Sequence, residues 1–135
     1  MHVLIAEARP STRAALRALL EHDPHCHRIS EATDAQGTLA ALSDAPDLLL
    51  LDWALPGLPS AAVVARAHTL RPELVIIALG HHAATRRAAL DVGVDCFIDT
   101  NQPPTDLIAL LNTLCPDKII VPPLEHGLFT RIYGQ

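Results

Sequence analysis

The stretch that decides the fold of this chain is residues 47–52, DLLLLD. Four consecutive leucines favour a strand that is covered on both of its faces, as in a parallel sheet that lies between two layers of helices. In such sheets the functional groups lie at the carboxyl ends of the strands. Asp52, the acid that ends this strand, is therefore the first candidate functional residue.

Further strands and helices alternate on both sides of this run. Apolar stretches predict strands at residues 2–6, 25–30, 74–79 and 94–98. The order is therefore β-α repeated five times, which predicts an α/β fold with a doubly wound, five-stranded parallel sheet and right-handed crossovers. Residues 1–115 are expected to form this one domain, and residues 116–135 a separate C-terminal tail or linker remnant.

Capping residues and apolar spacing predict where the helices begin and which faces they bury. Ser11 or Thr12 is a candidate N-cap of the first helix, and Asp34 of the second. Gly93 is a natural C-terminal stop for the fourth helix. Inward-facing residues are predicted on the third helix (Val63, Val64, Ala67, Leu70) and on the last, which begins at Pro103 and Pro104 (Leu107, Leu110, Leu111, Leu114).

Composition and charge exclude several classes of protein. Apolar residues make up 50% of the chain and aromatic residues only 3%, so we expect an aliphatic core. A net charge of −5 without a basic stripe argues against direct binding of nucleic acid. No apolar run approaches the length of a membrane span. Three widely spaced cysteines, and a strand-like run directly after Met1 in place of a signal peptide, indicate a cytoplasmic protein.

Residues at the predicted strand ends form the candidate site. Because parallel strands end at the same edge of the sheet, Glu7 and Asp52 are expected to face each other. Arg9 either pairs with one of these acids as an internal cation or is an exposed loop arginine. Trp53, beside Asp52, offers a fluorescent probe of the site. The other residues that the strands deliver to this edge are Ala8, Gly80, His81, Asp99 and Thr100.

A second cluster of potential ligands lies in the second predicted strand. Neighbours on a strand point to opposite faces, so only His25 and His27 could converge there, with Cys26 facing away. Two ligands do not make a structural zinc site, and packing is the favoured interpretation.

Three segments, in order and at matching spacing, resemble the receiver domain of response regulators. Residues 4–20, LIAEARPSTRAALRALL, resemble its first strand, acidic loop and first helix, and residues 46–57, PDLLLLDWALPG, resemble its phosphorylation-site strand. Residues 91–107, DVGVDCFIDTNQPPTDL, resemble its Gly-Ala-Asp-Gly-Tyr segment and the start of the last helix. The likeness covers about residues 2–114, is closest to receivers that precede a helix-turn-helix output domain, and implies a flavodoxin/CheY-like three-layer sandwich.

The resemblance implies a chemistry that this chain supports only in part. In the family a carboxylate at the position of Asp52 accepts a phosphoryl group, an acidic pair after strand one holds Mg²⁺, and a hydroxyl and a lysine bind the phosphoryl oxygens. Here Glu7 keeps one acid, but the second falls on Ala8. The hydroxyl position falls on Gly80, followed by His81, and the lysine position falls on Thr100. The single lysine, Lys118, lies far beyond the last predicted helix.

These losses predict a degenerate receiver that signals without phosphorylation, through protein–protein interaction or dimerisation, and that is not an enzyme. The expected partner is a histidine kinase, an output protein or a second copy, and the suspected surfaces are the helix with Arg86 and Arg87 and the last helix. No cofactor is expected, and any Mg²⁺ would bind weakly, through Glu7 and Asp52.

Two other functions stay open at this point. One is a conventional phosphoacceptor with weakened Mg²⁺-dependent chemistry at Asp52. The other, least favoured because the chain has no glycine-rich phosphate loop or catalytic triad, is a small-ligand or enzymatic role in the strand-end crevice. Residues 119–121 of the tail would either pair with a partner as a strand or belong to a linker.

Overall fold

The computed structural model describes residues 1–101, 107–109 and 111. Within them, five parallel strands form one sheet in the order β2-β1-β3-β4-β5. The predicted fold class is thus confirmed, with the leucine-rich strand in the centre of the sheet. The strands are β1 (His2–Ala6), β2 (Arg28–Ala32), β3 (Leu48–Asp52), β4 (Val75–Gly80) and β5 (Cys96–Asp99).

Helices connect these strands. They are α1 (Pro10–Glu21), α2 (Ala35–Ala41), α3 (Ser60–Leu70) and α4 (Ala83–Asp91), and a single 3-10 turn, Leu42–Asp44, follows α2. Residues 107–109 and 111 are also helical, and Leu107 and Leu111 are buried. The rest of the predicted last helix, with Leu110 and Leu114, and the predicted tail at residues 116–135, with Lys118, lie outside the described residues.

The central strand is buried on both faces, as its composition predicts. Leu49 and Leu51 join a core cluster with Val63, Val64 and Ala67 of α3. Leu48 and Leu50 point the other way, into a second cluster with Leu20 of α1 and with Leu107 and Leu111. Alternate side chains of one strand therefore supply two separate apolar layers, and this is the physical reason that a run of leucines suits a central parallel strand.

Two of the predicted helix caps are confirmed. The carboxylate of Asp34 accepts a hydrogen bond from the backbone N–H of Gly37 at 2.7 Å, and α4 is followed by Gly93 with a φ of +96°. The predicted caps of α1 are wrong: Arg9 is the N-cap residue, Pro10 opens the helix, and no side chain caps it. Proline has its φ set for the first helical position, so the helix begins before Ser11 and Thr12.

The second strand begins later than predicted. Residues 25–27 lie in the connection before it, where Asp23 accepts a hydrogen bond from the backbone N–H of His25 at 2.9 Å and the carbonyl of Asp23 accepts one from Cys26 at 3.1 Å. These local bonds hold a turn in place of a strand, so the expectation that His25 and His27 share a strand face is wrong. β4 and β5 begin one and two residues later than predicted, respectively.

Leu70 is the other correction to the predicted core. Val63, Val64 and Ala67 are fully buried, but Leu70, the last residue of α3, is 55% exposed. Helical periodicity identifies which face of a helix points inward, but not how far along its axis the neighbouring elements extend. Within the described part of the chain, no helix is long and apolar enough to cross a bilayer.

Candidate functional site

The carboxyl ends of β1 and β3 bring two acids together. These strands are neighbours, with Ala6 paired to Leu51, so the residues that follow the pair, Glu7 and Asp52, leave the sheet side by side. Glu7 is fully buried and Asp52 is 7% exposed. Their carboxyl groups lie within hydrogen-bonding reach of each other, and Asp52 also accepts a hydrogen bond from the backbone N–H of Ala54 at 3.1 Å.

The side chain of Arg9 folds back onto Glu7. Its Nη2 lies 3.3 Å from Oε1 of Glu7, and its Nε lies 3.4 Å from Oε2. The backbone N–H of Arg9 also donates to Oε2, at 3.0 Å. The side chain of Arg9 is 55% exposed and that of Glu7 only 1%, so the guanidinium covers the acid from the solvent side. Arg9 is therefore both exposed and paired, and its hydrogen bonds go to Glu7 and not to Asp52.

This arrangement moves the pKa values of the two acids in opposite directions. Burial raises the pKa of Asp52, and the hydrogen bond with Glu7 raises it further. Burial also acts to raise the pKa of Glu7, but the hydrogen bonds from Arg9 outweigh it and hold that pKa below its usual value. Arg9 therefore favours the charged form of Glu7, whereas Asp52 is protonated to a larger extent than a solvated aspartate at the same pH.

Arg13 was not singled out by the sequence, yet it supports the same loop. Its Nη1 donates to the backbone carbonyl of Glu7 at 3.0 Å and approaches that of Ala8 at 3.3 Å. Its Nε forms an ion pair with Glu31 of β2 at 3.2 Å. The signal that could have identified Arg13 is its position in the first turn of α1, directly after the acidic loop.

The ends of β4 and β5, at Gly80 and Thr100, supply no side-chain donor to Asp52. The hydroxyl of Thr100 donates to the carbonyl of Gly80 at 3.3 Å, and the backbone N–H of Thr100 donates to the same carbonyl at 2.7 Å. His81 is exposed, with its ring against that of His82. Of the two positions, Gly80 has no side chain and Thr100 directs its hydroxyl to main chain.

The space that a side chain at Gly80 would occupy is already filled. A Cβ there would lie 2.9 Å from Cγ2 of Thr85 and 3.0 Å from two ring carbons of Phe97. Phe97 is 4% exposed and belongs to the core cluster of α3. Sequence reasoning did not select Phe97, because its ring acts on the site only through this packing against the strand next to it.

Trp53 is placed to report on the pocket. Its backbone N–H donates to the carbonyl of Leu79 at 2.9 Å, and its carbonyl accepts from the hydroxyl of Ser60 at 2.7 Å. Its side chain is partly buried against the core. The indole is therefore held on a rigid segment directly after Asp52.

The pocket does not fit the Mg²⁺ ion that the resemblance implies. Among residues 1–101, 107–109 and 111, no three acidic, histidine or cysteine side chains are grouped so that they could hold a metal. Both carboxylate oxygens of Glu7 accept hydrogen bonds from Arg9, and Ala8 offers no side-chain oxygen. Mg²⁺ requires an octahedron of oxygen ligands with exchangeable water, whereas Glu7 and Asp52 are almost closed to solvent.

The chain is similar to known signalling proteins along most of its length. A family model described as the response regulator receiver domain matches residues 3–112. The nitrate/nitrite response regulator protein NarL of Escherichia coli K12 is 25% identical over 122 residues, which are 88% of this chain and 56% of that protein. A protein-glutamate methylesterase/protein-glutamine glutaminase of Rhizobium etli is 32% identical over 99 residues, which are 70% of this chain and 28% of that protein.

Solved structures support the same likeness. The isolated REC domain of RcsB from Salmonella enterica serovar Typhimurium, solved with the phosphomimetic BeF3⁻, has a TM-score of 0.80 and 25% identity, over 95% of this chain and 97% of that domain. The chain spans a little over half the length of the NarL proteins that it matches, and just over a quarter of the methylesterase.

Proposed function

Because the chain belongs to the response regulator receiver domain family, which acts in two-component signalling, we propose that it is a degenerate receiver that signals without phosphorylation of Asp52. It acts by binding another protein or a second copy of itself, and it is not an enzyme. The observation that carries this proposal is that neither position 80 nor position 100 offers a side-chain donor to Asp52, because Gly80 has no side chain and the Thr100 hydroxyl donates to the Gly80 carbonyl.

A phosphoryl group on Asp52 would lack the contacts that stabilise its charge. Phosphoryl transfer depends on hydrogen-bond donors and cations around the oxygens. A charge-assisted hydrogen bond is worth about 1.5–3 kcal/mol, and the pocket lacks two such donors. Gly80 cannot supply one, and Thr100 donates its hydroxyl to a backbone carbonyl. The protein would therefore do little to stabilise the charge of a phosphoryl group on Asp52.

The state of Asp52 also disfavours nucleophilic attack. Burial and the hydrogen bond with Glu7 raise the pKa of Asp52, so a larger share of this carboxyl is protonated than for a solvated aspartate. A protonated carboxyl must lose its proton before it can attack phosphorus. Low exposure, 7% of the residue, further restricts the approach of a phosphoryl donor.

The partner is a histidine kinase, an output protein or a second copy. In α4, Arg87 and Leu90 are exposed and Ala89 is the buried residue, which leaves most of that helix surface available for contact. The matches to a nitrate/nitrite response regulator and to a methylesterase cover this domain and not the rest of those proteins. We assign neither nucleic-acid binding nor esterase activity to this chain; the net charge of −5 also disfavours direct contact with nucleic acid.

A phosphorylation assay tests the first half of the proposal. The protein is incubated with Mg²⁺ and acetyl phosphate, and intact mass and phosphate-affinity electrophoresis measure incorporation. We expect none above that of Asp52→Asn, and no change of Trp53 fluorescence on adding Mg²⁺ and beryllofluoride. A receiver with the acid pair, hydroxyl and lysine intact serves as the positive control. Incorporation that disappears in Asp52→Asn would contradict the proposal.

Association tests the second half. Sedimentation velocity of the wild type and of Asp52→Asn, with and without Mg²⁺ and acetyl phosphate, should give the same distribution of oligomers in every condition. The same pair of proteins should also bind a candidate histidine kinase or output domain with equal affinity. A shift that requires both Asp52 and a phosphoryl donor would instead identify a regulated receiver.

The position of Asp52 favours one alternative. It ends the central strand beside a second acid, which is where the family carries its phosphoacceptor. A conventional receiver with weakened Mg²⁺-dependent chemistry would show slow incorporation at Asp52 that is accelerated by Mg²⁺. The assay above separates the two functions, because the degenerate receiver shows no incorporation at any time point.

A further inference from the structure

We propose that the guanidinium of Arg9 occupies the role of a divalent cation in the acidic pocket, so that the pocket excludes metal ions for as long as Arg9 is present. This inference deepens the proposed function, because it concerns the same site. It does not depend on whether Asp52 is phosphorylated, since its test measures metal binding.

The contacts of Arg9 are those of a built-in counter-ion. The backbone N–H and the guanidinium of Arg9 together make three hydrogen bonds, which engage both oxygens of the Glu7 carboxylate. Only two positions separate the partners in sequence, so little chain entropy opposes the pairing. Pro10 at the start of α1 further restricts the chain at this point.

Charge pairing in the pocket weakens its attraction for a further cation. The carboxylate of Glu7 is already paired with the guanidinium of Arg9, at 3.3 Å between Oε1 and Nη2. A divalent cation would have to displace the guanidinium from Glu7 and would then lie beside its positive charge. Metal affinity in oxygen sites follows the number of available carboxylate charges, and Arg9 removes that of Glu7.

A second arginine engages the backbone oxygens of the same loop. Arg13 donates to the carbonyl oxygens of Glu7 and Ala8, which are the other oxygens that this loop could offer to a metal. Its ion pair with Glu31 anchors it to β2. Side-chain and main-chain oxygens of the loop are thus both engaged by guanidinium groups.

The competing interpretation is that Arg9 is an ordinary surface arginine. Exposed ion pairs contribute little, and the side chain of Arg9 is 55% exposed. Its partner, however, is a carboxylate that is only 1% exposed. The Arg28–Asp44 pair differs, because both of its side chains are 56% exposed and Nη2 of Arg28 lies 3.7 Å from Oδ2 of Asp44. Arg28 therefore provides a control that removes the same charge elsewhere.

The experiment is a titration with MnCl₂ and with MgCl₂, in which binding is monitored by calorimetry and by Trp53 fluorescence. We expect no saturable binding to the wild type or to Arg28→Met. Arg9→Met should bind Mn²⁺ at least about tenfold more tightly than the wild type, because it frees a carboxylate charge. Arg9→Lys, which keeps the charge, should stay close to the wild type. Adding Ala8→Asp to Arg9→Met should tighten binding again.

Each result either supports or overturns the inference that Arg9 excludes metal ions. Metal binding by the wild type equal to that of Arg9→Met, or no gain in Arg9→Met and in a second variant, Arg9→Gln, overturns the inference. Circular dichroism melts establish that each variant is folded, and if Arg9→Met is not, Arg9→Gln and Arg9→Lys are compared in its place. Wild-type phosphorylation without metal gain in the Arg9 variants would refute both proposals, whereas metal gain without phosphorylation supports both.

Discussion

Gly80 offers the sharpest test of the packing at the strand ends. The replacement Gly80→Ala adds one methyl group at the end of β4, at the position where the family resemblance implies a hydroxyl side chain. The nearest atoms to that methyl would be Cγ2 of Thr85 at 2.9 Å and two ring carbons of Phe97 at 3.0 Å. Carbon atoms pack best about 3.5–4.0 Å apart, so the ring and the threonine must each retreat by about half an ångström.

The loss of stability in Gly80→Ala depends on which neighbouring side chains can shift. Phe97 is 4% exposed and lies inside a core cluster, so it cannot shift without disturbing its neighbours. Overpacking of this kind costs about 1–3 kcal/mol. Alanine recovers about 0.5–1 kcal/mol over glycine in a strand interior. We therefore expect the free energy of unfolding to fall by about 1–2 kcal/mol, which is about 4–8 °C in melting temperature for a chain of this size.

A double-mutant cycle isolates the contact. Urea unfolding is measured for the wild type, Gly80→Ala, Phe97→Leu and the double variant. Phe97→Leu removes the ring carbons that meet the added methyl, so Gly80→Ala should cost about 1 kcal/mol less in that background. Equal costs in both backgrounds, or a Gly80→Ala protein as stable as the wild type, would show that the ring does not fill the space over Gly80.

Further predictions concern the acid pair and one helix cap. Asp52→Asn should raise the free energy of unfolding at pH 7 by about 1 kcal/mol, because a neutral amide can donate to Glu7 without the cost of a buried second charge. The pKa of Asp52 is raised in the fold, so its stabilising contribution is complete below its unfolded pKa of about 3.9 and is lost as pH rises through the folded value. The advantage of Asp52→Asn should therefore grow with pH over that window in urea titrations, and a constant advantage from pH 3 to 7 would contradict the raised pKa of Asp52. Asp34→Ala should cost about 1 kcal/mol through loss of the cap on α2, measured by thermal unfolding, with Asp34→Asn retaining most of it.

Much of the fold is visible in local pattern. The leucine run predicts a strand buried on both faces because a parallel sheet needs apolar side chains on each side, and Leu49 and Leu50 do enter different clusters. The caps at Asp34 and Gly93 follow from backbone groups within a few residues of one another. Prediction was weaker at the ends of segments. The exposure of Leu70 depends on how far the neighbouring elements extend. The turn at His25 depends on local hydrogen bonds that compete with strand formation.

The candidate site divides in the same way. Asp52 and Glu7 could be placed at one edge of the sheet from the sequence, because each follows a predicted parallel strand and parallel strands end at the same edge. Whether Arg9 turned inward stayed open in the sequence, since an exposed rotamer and a paired one are equally compatible with its position. Arg13 and Phe97 were missed because their contribution is a contact with main chain or with a glycine, and neither leaves a residue pattern of its own.

By itself, the sequence determined the α/β class and the buried central strand, because these follow from periodicity and residue type; the departures at positions 8, 80 and 100 stay a prediction from the family resemblance. Only the tertiary structure decided the strand order β2-β1-β3-β4-β5, the engagement of both Glu7 oxygens by Arg9, and the packing of Phe97 over Gly80. The physical reason is the distance along the chain over which each effect acts. Propensity and burial are read along the chain, whereas a hydrogen bond or a clash depends on the positions of two side chains that the folded backbone brings together.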